Sequence, residues 1–132
     1  MTEAENPWGS DPTPFDALGG QERIRSIVDR FYDIVDADAL NLRAMLPEDD
    51  AVSRQKLFEY LVEWTGGPDL YSSHRGHPRM RMRHMPFAIG EAEVDAWLAC
   101  MERSLDDNEV SGPVRAFLDG KFTALAQHMR NR

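Results

Sequence analysis

The sequence predicts an all-α domain, and three observations support that prediction. Apolar residues recur at helical spacing in four long segments, so each of these segments has one apolar face. Glycine and proline groups bound these segments, as they do at the ends of helices. No segment alternates apolar and polar residues as a half-buried strand does. Since 132 residues suit a single domain, we expect the helices to pack about one core.

The first two long helices are defined by apolar stripes and by glycine pairs. Gly19-Gly20 marks the start of the first helix. Its stripe consists of Ile24, Ile27, Val28, Phe31 and Val35. The second helix is predicted from about Asp50 and ends at Gly66-Gly67-Pro68. Its stripe consists of Leu57, Tyr60, Leu61 and Trp64.

The third and fourth long helices have clear start signals. Gly90 can cap the third, Glu93 can reach back to that cap, and Ile89 can pack on Val94. The stripe of the third helix is Val94, Trp97, Leu98, Met101 and Leu105. Ser111-Gly112-Pro113 opens the fourth helix, because proline suits the first helical turn. The stripe of the fourth helix is Val114, Phe117, Leu118, Phe122, Leu125 and Met129.

Residues 69–86, between the second and third long helices, have no long period. Pro78 can open a short helix that Pro86 must end. Residues 75–84 contain four arginines, two histidines and no acid. The net charge is −8 overall and therefore −12 outside that segment. Either a solvated surface stretch or a binding site for a dianion would explain this contrast.

Composition and motifs exclude several classes of protein. The balance of 15 Lys and Arg against 23 Asp and Glu argues against binding to nucleic acid or anionic membranes. The longest apolar run, residues 96–101, is far shorter than the roughly 20 residues that span a bilayer. Residues 1–5 lack the features of a signal peptide, so we expect a cytoplasmic location. Cys100 is the single cysteine, and no nucleophile elbow, phosphate loop or dinucleotide fingerprint is present.

The histidines of residues 69–86 are candidate metal ligands. His74, His77 and His84 are spaced by three and seven residues in a predicted loop, which is a poor basis for a site built from side chains alone. A porphyrin with two carboxylates has different needs: a neutral imidazole for its iron, cations near its edge and an apolar slot for its body. The segment around His84 offers all three, since arginines, methionines and Phe87 flank it.

Over residues 14–132 the chain resembles a known family, the group II truncated haemoglobins. Its landmarks are Phe31-Tyr32, Pro47-Glu-Asp-Asp50, Trp64-Thr-Gly-Gly-Pro68, Tyr71, Arg75-Gly-His-Pro78, Arg81-Met-Arg-His84, Pro86-Phe87, Asp95-Ala-Trp-Leu98 and Cys100-Met101. The resemblance implies a globin-like fold, a truncated two-over-two helical sandwich, for residues 15–132. Residues 1–14, with three prolines and several acids, are predicted to be a flexible arm.

The resemblance also implies roles for individual residues around one haem b. His84 would be the metal ligand and would leave the sixth iron position open. Tyr32 and Trp97 would face that position as hydrogen-bond donors. The remaining distal residues would be Leu46 and Leu57, and Leu46 departs from the aromatic residue that the family usually has before Pro47. Haem-propionate partners would be Lys56, Tyr71 and Arg83, with Ser53 at the distal entrance and His77 and Arg79 as weaker candidates. Apolar contacts would come from Leu57, Tyr60, Met80, Met82 and Phe87.

The implied function is reversible binding of dioxygen and other diatomic ligands, such as NO and CO, at a His-ligated iron. NO dioxygenase or peroxidase activity would need a separate reductase, because no flavin or nicotinamide motif is present. A ligand carrier or sensor, as a monomer or homodimer, is equally compatible with the residues. The alternative is a haem-free helical interaction module that docks a partner through its acidic surface and basic segment.

Overall fold

Eight helices make up the part of the chain that the computed structural model describes, residues 6–132. They are α1 (Pro14–Leu18), α2 (Gly20–Asp38), α3 (Leu40–Arg43), α4 (Ala51–Trp64), α5 (Leu70–Arg75), α6 (Met80–His84), α7 (Glu91–Asp107) and α8 (Gly112–Met129). Within this range there is no strand, only an isolated bridge between Asn6 and Gly9. None of these helices is both long and apolar enough to cross a membrane. The all-α prediction is confirmed.

The four long helices form two pairs, α2 with α4 and α7 with α8, and α2 also packs against α7. The core lies where the apolar stripes of these helices meet, and Val28, Met101 and Leu118 are at most 1% exposed there. A buried hydrogen bond adds to this apolar contact, because the Ser104 hydroxyl donates to the Ile27 carbonyl at 2.6 Å. The bond ties α7 to α2 without leaving a buried polar group unpaired.

The predicted start of the third long helix is confirmed in detail. The Glu93 carboxylate accepts a hydrogen bond from the Gly90 N–H at 2.7 Å, and Ile89 and Val94 are buried in the same apolar cluster. Three shorter helices, α1, α3 and α5, were not predicted, because they are too short to show a period. For α1 a signal did exist, since the Thr13 hydroxyl caps the Asp16 N–H at 3.1 Å ahead of Pro14.

The predicted arm, residues 1–14, is only partly described, since residues 1–5 lie outside the described range. Trp8 packs edge-on against Phe117 of α8, with ring centroids 5.1 Å apart, and its indole N–H donates to the Asp11 carbonyl at 2.9 Å. This contact was not expected from the composition of the segment. The boundary between the arm and the domain stays a prediction.

Replacing Met101 with alanine should destabilise the fold strongly. Met101 is 1% exposed in the core, and truncating a buried methionine costs about 2–5 kcal/mol because a cavity remains. Met82, which is 57% exposed, provides the matched control, since truncation there should change stability by less than about 0.5 kcal/mol. Urea unfolding of both variants measures the difference. Equal losses of stability would contradict the burial of Met101 in the core.

Candidate functional site

A cavity of about 530 Å³ lies between the helices, and eleven side chains that the sequence predicted for one site line it. They come from α2, α4, α5, α6, α7, the segment before Pro47 and the segment after α6. The eleven are Tyr32, Leu46, Ser53, Lys56, Leu57, Tyr71, Met80, Arg83, His84, Phe87 and Trp97. The structure therefore brings together residues that are spread over most of the sequence. Their individual roles stay predictions.

His84 is the last residue of α6 and is half-buried at the cavity. Its ring Nδ1 lies 2.6 Å from the Met80 carbonyl oxygen, one helical turn earlier. A carbonyl only accepts, so Nδ1 carries the hydrogen and Nε2 is the ring nitrogen left for coordination. A hydrogen bond of this kind fixes both the tautomer and the orientation of a metal-binding imidazole.

The segment that follows His84 is fixed from a distant part of the chain, by Asn131. The Asn131 side chain accepts from the Ile89 N–H at 2.9 Å and donates to the Phe87 carbonyl at 2.8 Å. Its amide also donates to the His84 carbonyl at 3.4 Å, and its backbone N–H donates to the Ile89 carbonyl at 2.8 Å. Hence the backbone of residues 84–89 is held both by α6 and by the segment after α8.

Tyr32 and Trp97 line the cavity from α2 and α7, and Phe31 packs between them. Its ring centroid is 5.1 Å from that of Tyr32 and 5.4 Å from that of Trp97. The Tyr32 hydroxyl has a long hydrogen bond, 3.4 Å, to the Ser53 carbonyl. Burial and the nearby Asp50 charge raise the pKa of Tyr32 to about 12, against a smaller lowering effect of Arg54. Tyr32 is therefore a neutral hydroxyl, able to donate a hydrogen bond, at physiological pH.

The raised pKa of Tyr32 predicts a loss of stability at alkaline pH. The folded chain holds this proton more tightly than the unfolded chain, whose tyrosine has a pKa near 10. The contribution is fully present below pH 10 and is lost between pH 10 and 12, up to about 3 kcal/mol. Urea unfolding at about pH 9 and pH 11.5 should show a smaller loss in Tyr32→Phe. The same loss in both proteins would contradict the assignment.

Two cations and a buried tyrosine line the cavity from elements that face solvent. Lys56 on α4 and Arg83 on α6 are exposed, whereas Tyr71 on α5 is only 2% exposed. Helix α5 is fastened to α4 by two carboxylates. Glu63 accepts from the Ser72 N–H at 2.8 Å, and Glu59 accepts from Arg75 Nε at 2.9 Å. These contacts hold Tyr71 at the cavity.

Glu59 is a buried acid that the sequence did not single out. It is 3% exposed, and burial alone would raise its pKa. Hydrogen bonds from Gln55 and Arg75 outweigh burial, so the pKa of Glu59 is lower than usual and the carboxylate is ionised. Because an unpaired buried charge is strongly destabilising, Glu59 and Arg75 must be regarded as one unit.

Several predicted contacts are wrong. Met82 lies two residues before His84, about 200° around α6, and is 57% exposed instead of lining the cavity. Tyr60 is buried one turn beyond Leu57 and packs on Trp64 and Tyr71 instead. His77 and Arg79 do not line the cavity either, and the His77 ring accepts from the Arg79 N–H at 3.1 Å.

The predicted loop that carries the histidines is partly helical, since His74 lies in α5 and His84 in α6. His74 lies 3.6 Å from the Glu59 carboxylate and does not line the cavity with His84. Between residues 6 and 132, no three His, Cys, Asp or Glu side chains are grouped as a metal site.

The sequence did not identify Glu93 or the α8 residues as lining the cavity. The capping pattern predicted that Glu93 reaches back to the start of α7. It did not predict that the same side chain borders the cavity. Leu125 and Met129 were assigned to the apolar stripe of α8, which gave no sign that they face a void. Whether an apolar residue of α8 lies in the core or lines the cavity depends on how α8 packs against α6, which the sequence does not show.

Comparison with known proteins identifies the family. Residues 13–131 match the model of the bacterial-like globin family. The group 2 truncated haemoglobin YjbI of Bacillus subtilis is 38% identical over 119 residues, which are 90% of this chain and 89% of that protein. The chain belongs to the group II truncated haemoglobins.

Solved truncated haemoglobins agree with this assignment. The group II truncated haemoglobin of Bacillus anthracis is 40% identical, with a TM-score of 0.89 over 92% of this chain and 98% of that one. A structure described as a truncated oxygen-avid haemoglobin from Bacillus subtilis is 38% identical, with a TM-score of 0.86 over 90% and 99%. The predicted globin-like, two-over-two fold is thereby confirmed.

The cavity of this truncated haemoglobin fits the haem that membership of the globin family implies. An imidazole with a fixed tautomer, an apolar wall and two exposed cations match the iron, the ring and the carboxylates of a haem. The fit rests on the chemistry of the side chains that line one cavity. Met80, Phe87 and Leu57 supply part of the apolar wall, as predicted.

Proposed function

We propose that this chain holds one haem b in the cavity, with His84 as the iron ligand, and reversibly binds dioxygen and other diatomic ligands such as NO and CO. The observation that carries the proposal is His84 itself. It lines the cavity with Nδ1 bound to the Met80 carbonyl, so the tautomer needed for ligation is already set. The oxygen-avid description of the Bacillus subtilis relative supports dioxygen as a ligand.

The side chains around the cavity divide the remaining tasks. Lys56 and Arg83 lie on different helices and reach solvent, so they can bind two carboxylates while these stay hydrated. Tyr71 adds a hydroxyl donor from α5. Leu46 and Leu57 present only apolar surface, which keeps water from the ligand side of the cavity.

Hydrogen bonding to the ligand is the task of Tyr32 and Trp97. When bound, the haem supplies the iron that takes a diatomic ligand, and the protein supplies access and polarity. The Tyr32 hydroxyl and the Trp97 indole N–H both donate, and each can stabilise a ligand that carries partial negative charge. With leucine at position 46, these two donors have no hydroxyl beside Pro47 to support them.

Some finer expectations stay predictions of the sequence. NO dioxygenase or peroxidase activity would require electrons from a separate reductase. A cytoplasmic location and a monomeric or homodimeric state are also predictions of the sequence.

Absorption spectroscopy tests the proposal. Purified protein reconstituted with haem b should show a Soret band and should retain the haem through gel filtration. The reduced protein should change its spectrum under air and recover it under argon. Absence of a Soret band after reconstitution would overturn the proposal and favour the haem-free interaction module. Zinc protoporphyrin, which has the same carboxylates, is a useful control for binding of the porphyrin alone.

A further inference from the structure

Arg54, on α4, is the centre of a cluster of carboxylates that joins α4 to α2. Its Nε donates to Asp50 Oδ1 at 3.0 Å. Its terminal nitrogens donate to the Asp29 carbonyl at 3.1 Å and to Asp33 Oδ1 at 2.9 Å, and lie 3.5 Å from Asp36 Oδ2. The side chain is 21% exposed, so these contacts are largely shielded from water. An arginine with this many directional contacts has little freedom to move.

The three α2 acids of this cluster lie on the part of the helix that presents Tyr32. Asp29, Asp33 and Asp36 are three residues before, one after and four after Tyr32. The Arg54 guanidinium carbon lies 5.6 Å from the centre of the Tyr32 ring. The tyrosine hydroxyl meets the Ser53 carbonyl, next to Arg54 in sequence. One side chain therefore spans the gap between α2 and α4 beside the tyrosine that lines the cavity.

Asp50 completes the arrangement from the α4 N-terminus. Its side chain is 14% exposed, and Oδ1 holds Arg54. Its second oxygen, Oδ2, is buried and has no hydrogen-bond partner among residues 6–132. Leaving a buried carboxylate oxygen unpaired is unfavourable, so such a group calls for an explanation. Its charge acts on Tyr32, whose pKa it helps to raise.

We propose that Arg54, held in place by Asp50, is a positioning residue that sets where Tyr32 presents its hydroxyl in the cavity. The inference rests on the proposed function, because the hydroxyl is expected to serve a ligand bound there. The hydrogen bond to Ser53 is too long to fix the tyrosine. Instead, the Arg54 guanidinium fixes Tyr32, because it ties the turns of α2 on both sides of Tyr32 to α4. Without it, the hydroxyl occupies a wider range of positions, and its hydrogen bond to the ligand weakens.

The test uses the haem-loaded protein and two methionine variants. Arg54→Met keeps most of the side-chain length but removes the fork of donors, and should speed dioxygen release about two- to fivefold, which is less than the full loss of the hydroxyl in Tyr32→Phe. The matched control is Arg30→Met. Arg30, on α2, also joins its helix to another one through an ion pair, at 2.6 Å from Asp107 of α7, but it does not touch Tyr32. This control should leave the release rate unchanged.

Two further readouts separate positioning from general stability. The C–O stretching band of the CO-loaded protein reports the polarity at the ligand, and it should shift or split in Arg54→Met. In a Tyr32→Phe background, Arg54→Met should add no further change in release rate or band, because the two residues act as one unit. A lower melting temperature with unchanged release rate and band would overturn the inference, as would an equal effect of Arg54→Met in the Tyr32→Phe background.

If Arg54→Met does not fold, Arg54→Lys tests whether Arg54 positions Tyr32. Lysine keeps one positive charge but lacks the planar fork, so a smaller increase of the same sign is expected. No increase would overturn the inference. If the unsubstituted protein took up haem but Arg54 had no effect, only this inference would fail. If it took up no haem, the proposed function would fail with it.

Discussion

His84→Ala should lose most of the affinity for haem. The side chain is the expected iron ligand, and removing even a group that merely orients a metal ligand typically costs about 10- to 100-fold in affinity. We expect the loss to exceed that range, because coordination itself disappears. The reconstituted variant should show a weakened and displaced Soret band, and haem should transfer rapidly to an excess of an apo-globin acceptor.

A histidine outside the cavity gives the control for this experiment. His74→Ala removes a side chain that is 61% exposed and lies near Glu59, so the Soret band should stay as in the unsubstituted protein. Added imidazole should partly restore the band of His84→Ala by occupying the space that the ring leaves. An unchanged spectrum in His84→Ala would refute the assignment of the ligand.

Trp97→Phe should speed dioxygen release more than Tyr32→Phe. A hydrogen bond to a charged group contributes roughly 1.5–3 kcal/mol, so losing the indole donor should raise the rate about 10- to 100-fold. The Tyr32 hydroxyl already has an acceptor, the Ser53 carbonyl at 3.4 Å, so its hydrogen bond to a ligand replaces a weaker one. Its net contribution is therefore smaller, and we expect less than tenfold for Tyr32→Phe.

Stopped-flow mixing of the dioxygen-loaded protein with dithionite and excess CO measures both release rates. Leu125→Ala provides a control, since it changes the cavity wall without removing a donor. Equal rates for the two variants, or the reverse order, would refute the ranking. A large effect of Leu125→Ala would show that cavity shape, and not hydrogen bonding, limits release.

The long helices could be predicted because each shows its apolar stripe over several turns. The stripe of α2, from Ile24 to Val35, is buried as predicted. Helices α3 and α5 span less than two turns, and helical periodicity cannot be recognised over so short a stretch. The contact of Trp8 could not be predicted for another reason. The surrounding prolines and acids indicate an arm, and composition does not reveal that one aromatic side chain packs on α8.

Eleven predicted site residues line one cavity because the resemblance supplied a three-dimensional arrangement that spacing alone does not contain. The resemblance did not give the direction of every side chain. Met82 is as apolar as Met80, but it faces the other side of α6. The Arg54 cluster escaped notice for a similar reason. Its acids are dispersed between Asp29 and Asp50 and look like ordinary surface charge until α2 and α4 pack together.

The hydrogen bonds of Asn131 to residues 84–89 have an entropic consequence. A helix of five residues, such as α6, is too short to persist by itself, and its last turn would fray. Fraying would separate the His84 ring from the Met80 carbonyl that orients it. Asn131 lies 47 residues from His84, but the entropy of loop closure grows only with the logarithm of length, by about 0.6 kcal/mol per doubling. Asn131 thus holds the backbone of His84 at little more entropic cost than a residue nearer in sequence would. It does so independently of α6, the helix that carries His84.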